Sequence, residues 1–431
     1  MDYQATRTFA QAQDAADPLR HFRERFHIPQ HDGQDTIYFC GNSLGLQPKA
    51  VRPAIEADLK KWETQGVKGH FAEPDPWTKS HARLTDRLAE VVGAKPVEVV
   101  AMNSLTVNLH LLLVSFYRPT ATRFKILMEG GAFPSDQYAL ASQTMHHGYP
   151  PEEAIVELFP RQGEHTLRTE DIRQKIHDLG DELALVLFGG VNYYTGQFFD
   201  LKAITEAAHA VGAKAGFDLA HAVGNVPLHL HDSGADFAAW CSYKYMNGSA
   251  GGMSGVFIHE RYADLPVPRF AGWWGHDEAA RFQMDKTFVP MRGAEGWQLS
   301  CAPSLLMVVY EVSLKIFAEA GMQRLREKSL KLTGYLEFLI QAFNREQEAV
   351  KINIITPKDP EARGCQLSLV LEGNGKALFE FLSENGFVGD WREPDVIRVA
   401  PAPLYNSFED VYRFYELLGA YARQEEVEMS A

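Results

Sequence analysis

Cysteine is nearly absent from this chain: 431 residues carry four, Cys40, Cys241, Cys301 and Cys365. No two lie close enough for a metal knuckle or a CxxC redox pair. Four scattered thiols suit a reducing compartment, and a cytoplasmic location is expected. Long apolar runs are missing too. No stretch approaches the roughly 20 apolar residues of a membrane helix, and Met1 to Phe26 mixes acids with arginines where a signal peptide would be apolar. No membrane association is expected. Nor is there a basic excess, since 42 Lys and Arg stand against 56 Asp and Glu, for a net charge of −14. No basic stripe stands out, so nucleic acid is not an expected partner. Internal repeats and low-complexity segments are absent as well.

What is present is a regular alternation. From about residue 95, short apolar stretches alternate with amphipathic ones. Val97–Met102, Phe124–Met128, Ala154–Leu158, Leu183–Phe188, Lys214–Phe217 and Phe237–Cys241 read as strands. Ser104–Tyr117, Pro134–His146, Thr169–Leu179 and Asp200–Val211 read as helices. This pattern predicts an α/β fold with a mostly parallel sheet sandwiched by helices. Gly248, Gly251, Gly252 and Gly255 then suit a tight turn into an antiparallel return strand, Val256–Ile258. From Pro303 the texture changes. One long helical pattern runs to about Phe343, strand-like pieces follow at Ile352–Ile355, Gln366–Leu371 and Val396–Ala400, and Ser407-Phe408-Glu409-Asp410 fits a capping box before a last helix. A smaller α+β C-terminal domain is expected from residue 305.

The chemistry centres on two strand ends. Asp218 ends one apolar run and Lys244 follows another. If the two strands are neighbours, an acid and an amine face one crevice, where open α/β sheets bind ligands. That pairing suits pyridoxal phosphate: the lysine forms a Schiff base, and the acid pairs with the ring nitrogen so that the ring takes up electrons. Ser104-Leu105-Thr106-Val107-Asn108 follows a strand and opens a helix, a geometry that serves equally as an N-cap or as a phosphate cradle. Phe133-Pro134-Ser135-Asp136 stands at another strand-to-helix turn. It is either a plain helix start or a ring-stacking Phe133 with Asp136 as hydrogen-bonding neighbour. Arg398, inside the apolar Ile397–Pro401, is either a surface arginine with a buried stem or a clamp for a substrate carboxylate. His229 and His231, two apart on an assumed strand, lack a third nearby ligand, and no metal is expected.

These residues resemble a known family. Tyr38-Phe39-Cys40-Gly41-Asn42-Ser43-Leu44-Gly45, Phe133-Pro134-Ser135-Asp136, Gly216 to Asn225, Cys241-Ser242-Tyr243-Lys244-Tyr245 and Ile397-Arg398-Val399-Ala400-Pro401 together look like kynureninase, over about residues 20 to 420. The resemblance implies a fold-type-I pyridoxal-phosphate enzyme of aspartate aminotransferase-like architecture, a homodimer with sites at the subunit interface. It implies hydrolytic Cβ–Cγ cleavage of L-kynurenine or its 3-hydroxy derivative, giving anthranilate or 3-hydroxyanthranilate and L-alanine, in tryptophan degradation and the supply of NAD precursors. Lys244 would carry the cofactor, Asp218 would pair with the ring nitrogen, and Tyr243 would join Lys244 in moving protons. Leu105, Thr106 and Tyr243 would sit at the phosphate, with Trp273 close to it from the partner subunit. Phe133, Pro134, Ser135, Asp136 and His221 would line the cofactor, and Arg398 would hold the substrate α-carboxylate. His70 matches the animal pattern of a substrate-pocket histidine. Ser300 and Cys301 fall where many relatives have Ser-Asn, so Cys301 stands in for an asparagine that selects the 3-hydroxy substrate in animal enzymes. Gly189 stands where some relatives have serine, which removes a hydrogen bond to the cofactor. The expected division is an N-terminal segment, residues 1–45, packing on the small domain; a large cofactor domain, 46–304; and a small domain, 305–431.

Two other readings remain at this stage. Cys301 would serve as the nucleophile of a cysteine desulfurase or lyase, although its apolar surroundings offer nothing in sequence to lower its pKa. A non-catalytic cofactor-binding protein would need a broken site, whereas the lysine, acid and arginine are all present.

Overall fold

A computed structural model describes residues 2–347 and 350–430 of the chain. It divides into two compact units. One comprises Ala50–Val191 and Phe199–Glu319, the other Met1–Lys49, Asn192–Phe198 and Ala320–Ala431.

The first unit holds a seven-stranded sheet. Its strands are β1 (Val99–Ala101), β2 (Lys125–Glu129), β3 (Ile155–Leu158), β4 (Leu183–Gly189), β5 (Lys214–Asp218), β6 (Phe237–Trp240) and β7 (Gly255–Ile258). Across the sheet the order is β1-β7-β6-β5-β4-β2-β3. All neighbours are parallel except β7, which runs antiparallel to both β1 and β6, as the glycine-rich return predicted. Six of the seven residues of β4 are buried, as a strand covered on both faces requires. Helix Leu105–Phe116 lies on the sheet through Phe116, whose ring stacks on Phe237 at 4.9 Å. Phe237 in turn occupies the space beside Gly216 in β5, where an added Cβ would meet the ring at 2.1 Å. Gly216→Ala should therefore lower unfolding stability by about 2 kcal/mol, since neither buried ring can retreat. The denaturant midpoint checks this.

The second unit builds its core on a four-stranded antiparallel sheet ordered β8-β9-β11-β10, with β8 at Ile352–Ile354, β9 at Leu367–Leu371, β10 at Asp390–Arg392 and β11 at Val396–Val399. Helix Met322–Glu346 and the long C-terminal helix from Phe408 contribute Leu332, Leu336, Phe343, Phe414 and Leu418 to its core. The capping box forms: Ser407 Oγ accepts from Asp410 N at 3.0 Å, and Asp410 Oδ2 accepts from Ser407 N at 3.1 Å. The N-terminal residues belong to this unit. Helix Arg7–Ala16 places Ala10 in its core, and Asp14 accepts from the N–H groups of Phe408 and Glu409 at 2.7 and 2.9 Å.

Three local expectations fail. The single helix from Pro303 is two, Ser304–Ala320 and Met322–Glu346, broken at Gly321 with φ 77°. The contact boundary falls at this break rather than at residue 305, because the first helix is tied into the sheet unit. Tyr310 Oη accepts from Trp240 Nε1 at 3.0 Å, and Ser313 Oγ donates to Met246 O. At the other end the boundary follows Lys49 instead of residue 45, and Asn192–Phe198 joins the second unit. Finally, no strand carries His229 and His231. His229 has φ 48° and Leu230–Ser233 is helical, so their two-residue spacing does not align them on one face.

Candidate active site

Parallel strands end together, so residues that close neighbouring strands form a row. Glu129, Gly189 and Asp218 end β2, β4 and β5, and the turn after β6 delivers Lys244. This is the crevice that the alternation of strands and helices predicted.

Asp218 is buried, and its Oδ1 accepts from Ala220 N at 2.8 Å. Asp136, near the start of helix Pro134–His146, is buried beside it and hydrogen-bonded to it through the side chains. Burial raises both acids. Asp136 is raised further by Asp218 and Glu129, while Lys244 works the other way on each. Asp136 therefore carries the proton and donates it toward Asp218. Asp136 Oδ1 is buried and, the carboxyl pair itself aside, has no hydrogen-bond partner among the described residues.

Lys244 is half-buried, with Nζ 3.0 Å from His221 Nε2 and 5.9 Å from the centre of the Phe133 ring. Phe133 is 42% exposed, which leaves a ring face beside the amine open. Tyr243 places its ring 5.7 Å from the same amine. Burial and the neighbouring Cys241 hold its phenol well above the usual range, so it is a proton donor at any working pH.

Helix Leu105–Phe116 starts without a side-chain cap from Ser104, so its first N–H groups face outward with no side-chain acceptor there. Thr106 Oγ1 meets Ser135 Oγ at 2.7 Å, which joins the two strand-to-helix turns. Asn103, at φ 49°, donates to Asn108 Oδ1 at 3.0 Å, and Asn108 donates to Met102 O at 2.8 Å. That bracing was not read from the sequence, although Asn before a helix start is a turn signal.

An acid pair, an amine, an open ring face and an uncapped helix start are what pyridoxal phosphate requires at its nitrogen, carbonyl, ring and phosphate. The chemistry of this donor set is the sign of fit: each part of the group has a complementary partner in the crevice.

His70 and Cys301 come together as well. With Asp58, Leu59, Trp62, Trp77, Pro303 and Leu305 they line a largely apolar cavity of about 440 Å³. Trp77 stands edge-on to His70 at 5.4 Å, donates from Nε1 to Asp58 Oδ1 at 2.7 Å, and fills the space beside Gly69. Ser300 and Cys301 are exposed, and partial desolvation of the thiol outweighs the nearby Arg281 and raises its pKa, unlike an activated nucleophile. Trp273, half-exposed, has its contacts in its own loop: Nε1 donates to Arg281 O at 3.0 Å, and its ring meets Trp274 and Phe282.

Arg398 lies in the second unit, fully buried on β11. Asp390 Oδ2 takes its Nη2 at 2.7 Å, Ser43 Oγ accepts at 3.2 Å, and Tyr193 O accepts from Nη1 at 2.7 Å. The sequence offered Arg398 alone; Asp390, Ser43 and Tyr193 come from three other segments.

His231 does meet Glu98 and His259 in a tight group. Each donor is already engaged. Glu98 accepts from His231 Nδ1, Glu260 N and Lys95 N, and His259 Nδ1 accepts from Arg261 N. The group ties Pro96–Glu98 to the end of β7.

This fold and site define an aminotransferase class-V protein. That family's model matches residues 37–278, and the solved cysteine desulfurase of Thermococcus onnurineus superposes with a TM-score of 0.73 over 90% of this chain and 95% of its own, at 16% identity. A second model, kynureninase C-terminal domain, matches residues 325–418. Curated kynureninases from Flavobacterium psychrophilum and Myxococcus xanthus are each 54% identical, covering 97% and 98% of this chain and 98% and 99% of theirs. The chain belongs to the kynureninase family.

Proposed function

We propose that this chain hydrolyses the Cβ–Cγ bond of L-kynurenine, with pyridoxal phosphate on Lys244, releasing anthranilate and L-alanine, or 3-hydroxyanthranilate from the 3-hydroxy substrate. The observation that carries this reading is the Lys244 amine and the Asp136–Asp218 pair in one crevice, in a chain matched along its length by kynureninases. Bound there, the cofactor supplies a sink for the electrons left when the substrate loses its α-proton.

The chain's own groups do the rest. Lys244 Nζ removes and returns the proton at the α-carbon, with His221 Nε2 3.0 Å away to hold the amine in place. Asp218 would pair with the ring nitrogen and favour its protonated form, and Phe133, Pro134, Ser135, Asp136 and His221 would line the ring. The N–H groups of Leu105 and Thr106, with Tyr243 and Trp273, would hold the phosphate. Arg398 binds the α-carboxylate, oriented by Asp390. Water adds to the γ-carbonyl, the Cβ–Cγ bond breaks, the arylcarboxylate leaves, and Tyr243 with Lys244 returns protons to the alanine portion. His70, Ser300 and Cys301 take the aryl end, where the cavity beside His70 accepts a flat ring. In this reading the larger unit is the cofactor domain and the other the small domain, the enzyme is a homodimer with Trp273 serving the partner's site, and it works in the cytoplasm on a small amino acid.

Release of anthranilate from kynurenine by purified holoenzyme tests the reading, and no release defeats it. The two substrates should part at Cys301. In Cys301→Asn the kcat/KM ratio of 3-hydroxykynurenine to kynurenine should rise about tenfold, the worth of one added hydrogen bond of about 1.4 kcal/mol. An unchanged ratio in steady-state kinetics removes Cys301 from the aryl site.

A further inference from the structure

We propose that Glu129 is a positioning residue for the Asp136–Asp218 pair, acting through a carboxylate laid across the side-chain-free Gly189. The inference rests on the pyridoxal-phosphate reading of this crevice. It starts from three adjacent strand ends. Gly189 of β4 is the register partner of Asp218 on β5, and Glu129 closes β2 on the other side of β4. The middle residue has no side chain, and Glu129 uses the room. Its Oε1 accepts from Gly189 N at 3.2 Å, and a Cβ on residue 189 would lie 2.8 Å from that oxygen. Glu129 is buried, so its charge acts through protein rather than water. Gly189 thus has a use in this chain: it is the gap through which a third carboxyl approaches the acid pair.

Neighbouring buried carboxyls disfavour one another's ionisation. Gly189 N–H donates to Glu129, and both Glu129 and Asp218 push the Asp136 carboxyl up, which favours the proton on Asp136. Asp136 then donates to Asp218, whose remaining charge is presented to the ring nitrogen. Lys244 faces the pair, with His221 at its amine; Cys241 and Tyr243, from the segment after β6, are the other titratable groups beside it. Without the Glu129 charge Asp136 ionises at lower pH, and the pair no longer holds its proton across the working range.

The test reads the bound cofactor's absorbance against pH in holoenzyme without substrate. Glu129→Gln keeps the shape and an acceptor for Gly189 N–H and removes only the charge. The midpoint of its absorbance change should fall by about one pH unit. Gly189→Ala, which displaces the carboxylate without altering any charge, should shift the midpoint in the same direction, and the double variant should move no further than Glu129→Gln alone. An unshifted midpoint in Glu129→Gln, or additive shifts in the double variant, overturns the proposal. If Glu129→Gln takes up no cofactor, Gly189→Ala decides by the same midpoint. The parent reading fails separately: a holoenzyme that releases no anthranilate defeats the assigned reaction, whereas unmoved midpoints with turnover intact defeat only the role of Glu129.

Discussion

Lys244→Ala should lose at least a factor of about a thousand in kynurenine turnover, and the protein should no longer keep its cofactor through dialysis. Both losses follow from one atom. Nζ is the amine that the crevice places beside the Phe133 ring and His221. In the proposed function it is both the point of covalent attachment and the base at the α-carbon. Alanine removes both roles and leaves His221 Nε2 without the amine it faces. Stopped-flow absorbance on cofactor addition and anthranilate fluorescence read the two effects independently. Lys244→Ala that still releases anthranilate within a factor of ten of the parent would falsify the assignment.

Asp390→Ala should destabilise the protein by about 3 kcal/mol, because it leaves the fully buried Arg398 guanidinium without its counter-ion. Burial alone would raise the Asp390 carboxyl. Arg398, Ser43 and Arg392 outweigh it and hold the group below the usual carboxylate range. The sign follows: a folded-state pKa below the unfolded one gives stability that is complete above the unfolded value and is lost as pH falls through the folded one. The parent should therefore lose stability on acidification below about pH 4, and Asp390→Ala should lose less over that window. Urea unfolding at pH 7 and at pH 3.5 measures both statements. With Arg398 in its proposed role at the α-carboxylate, the same change should raise KM more than it lowers kcat, since a disordered guanidinium would bind substrate and transition state equally poorly.

The sheet was legible because parallel strands are covered on both faces. Leu183–Phe188 is continuously apolar for that reason, and the observed β4 departs from it only at its last residue. β10 was missed for the opposite reason. Asp390-Trp391-Arg392 is half-exposed along its length, and its acid and arginine read as loop until Asp390 is seen facing Arg398. The helix break at Gly321 was written in the chain as a glycine after Glu-Ala, yet period alone carried the helical reading through it.

The acid–amine pair shows where the division lies. Asp218 and Lys244 were identifiable from sequence because each follows an apolar run that can only be a buried strand, and adjacency of those strands brings their ends together. Residue type and local period determine such things: which segments are strands, where they end, and what chemistry the ends can bear. What the chain alone could not decide is which third and fourth groups meet at a site from distant segments. Glu129 behind Gly189, and Ser43 and Tyr193 on Arg398, are contacts between segments far apart in sequence. Strand order and loop path set those contacts. They depend on how the whole chain packs, which no local window of sequence contains.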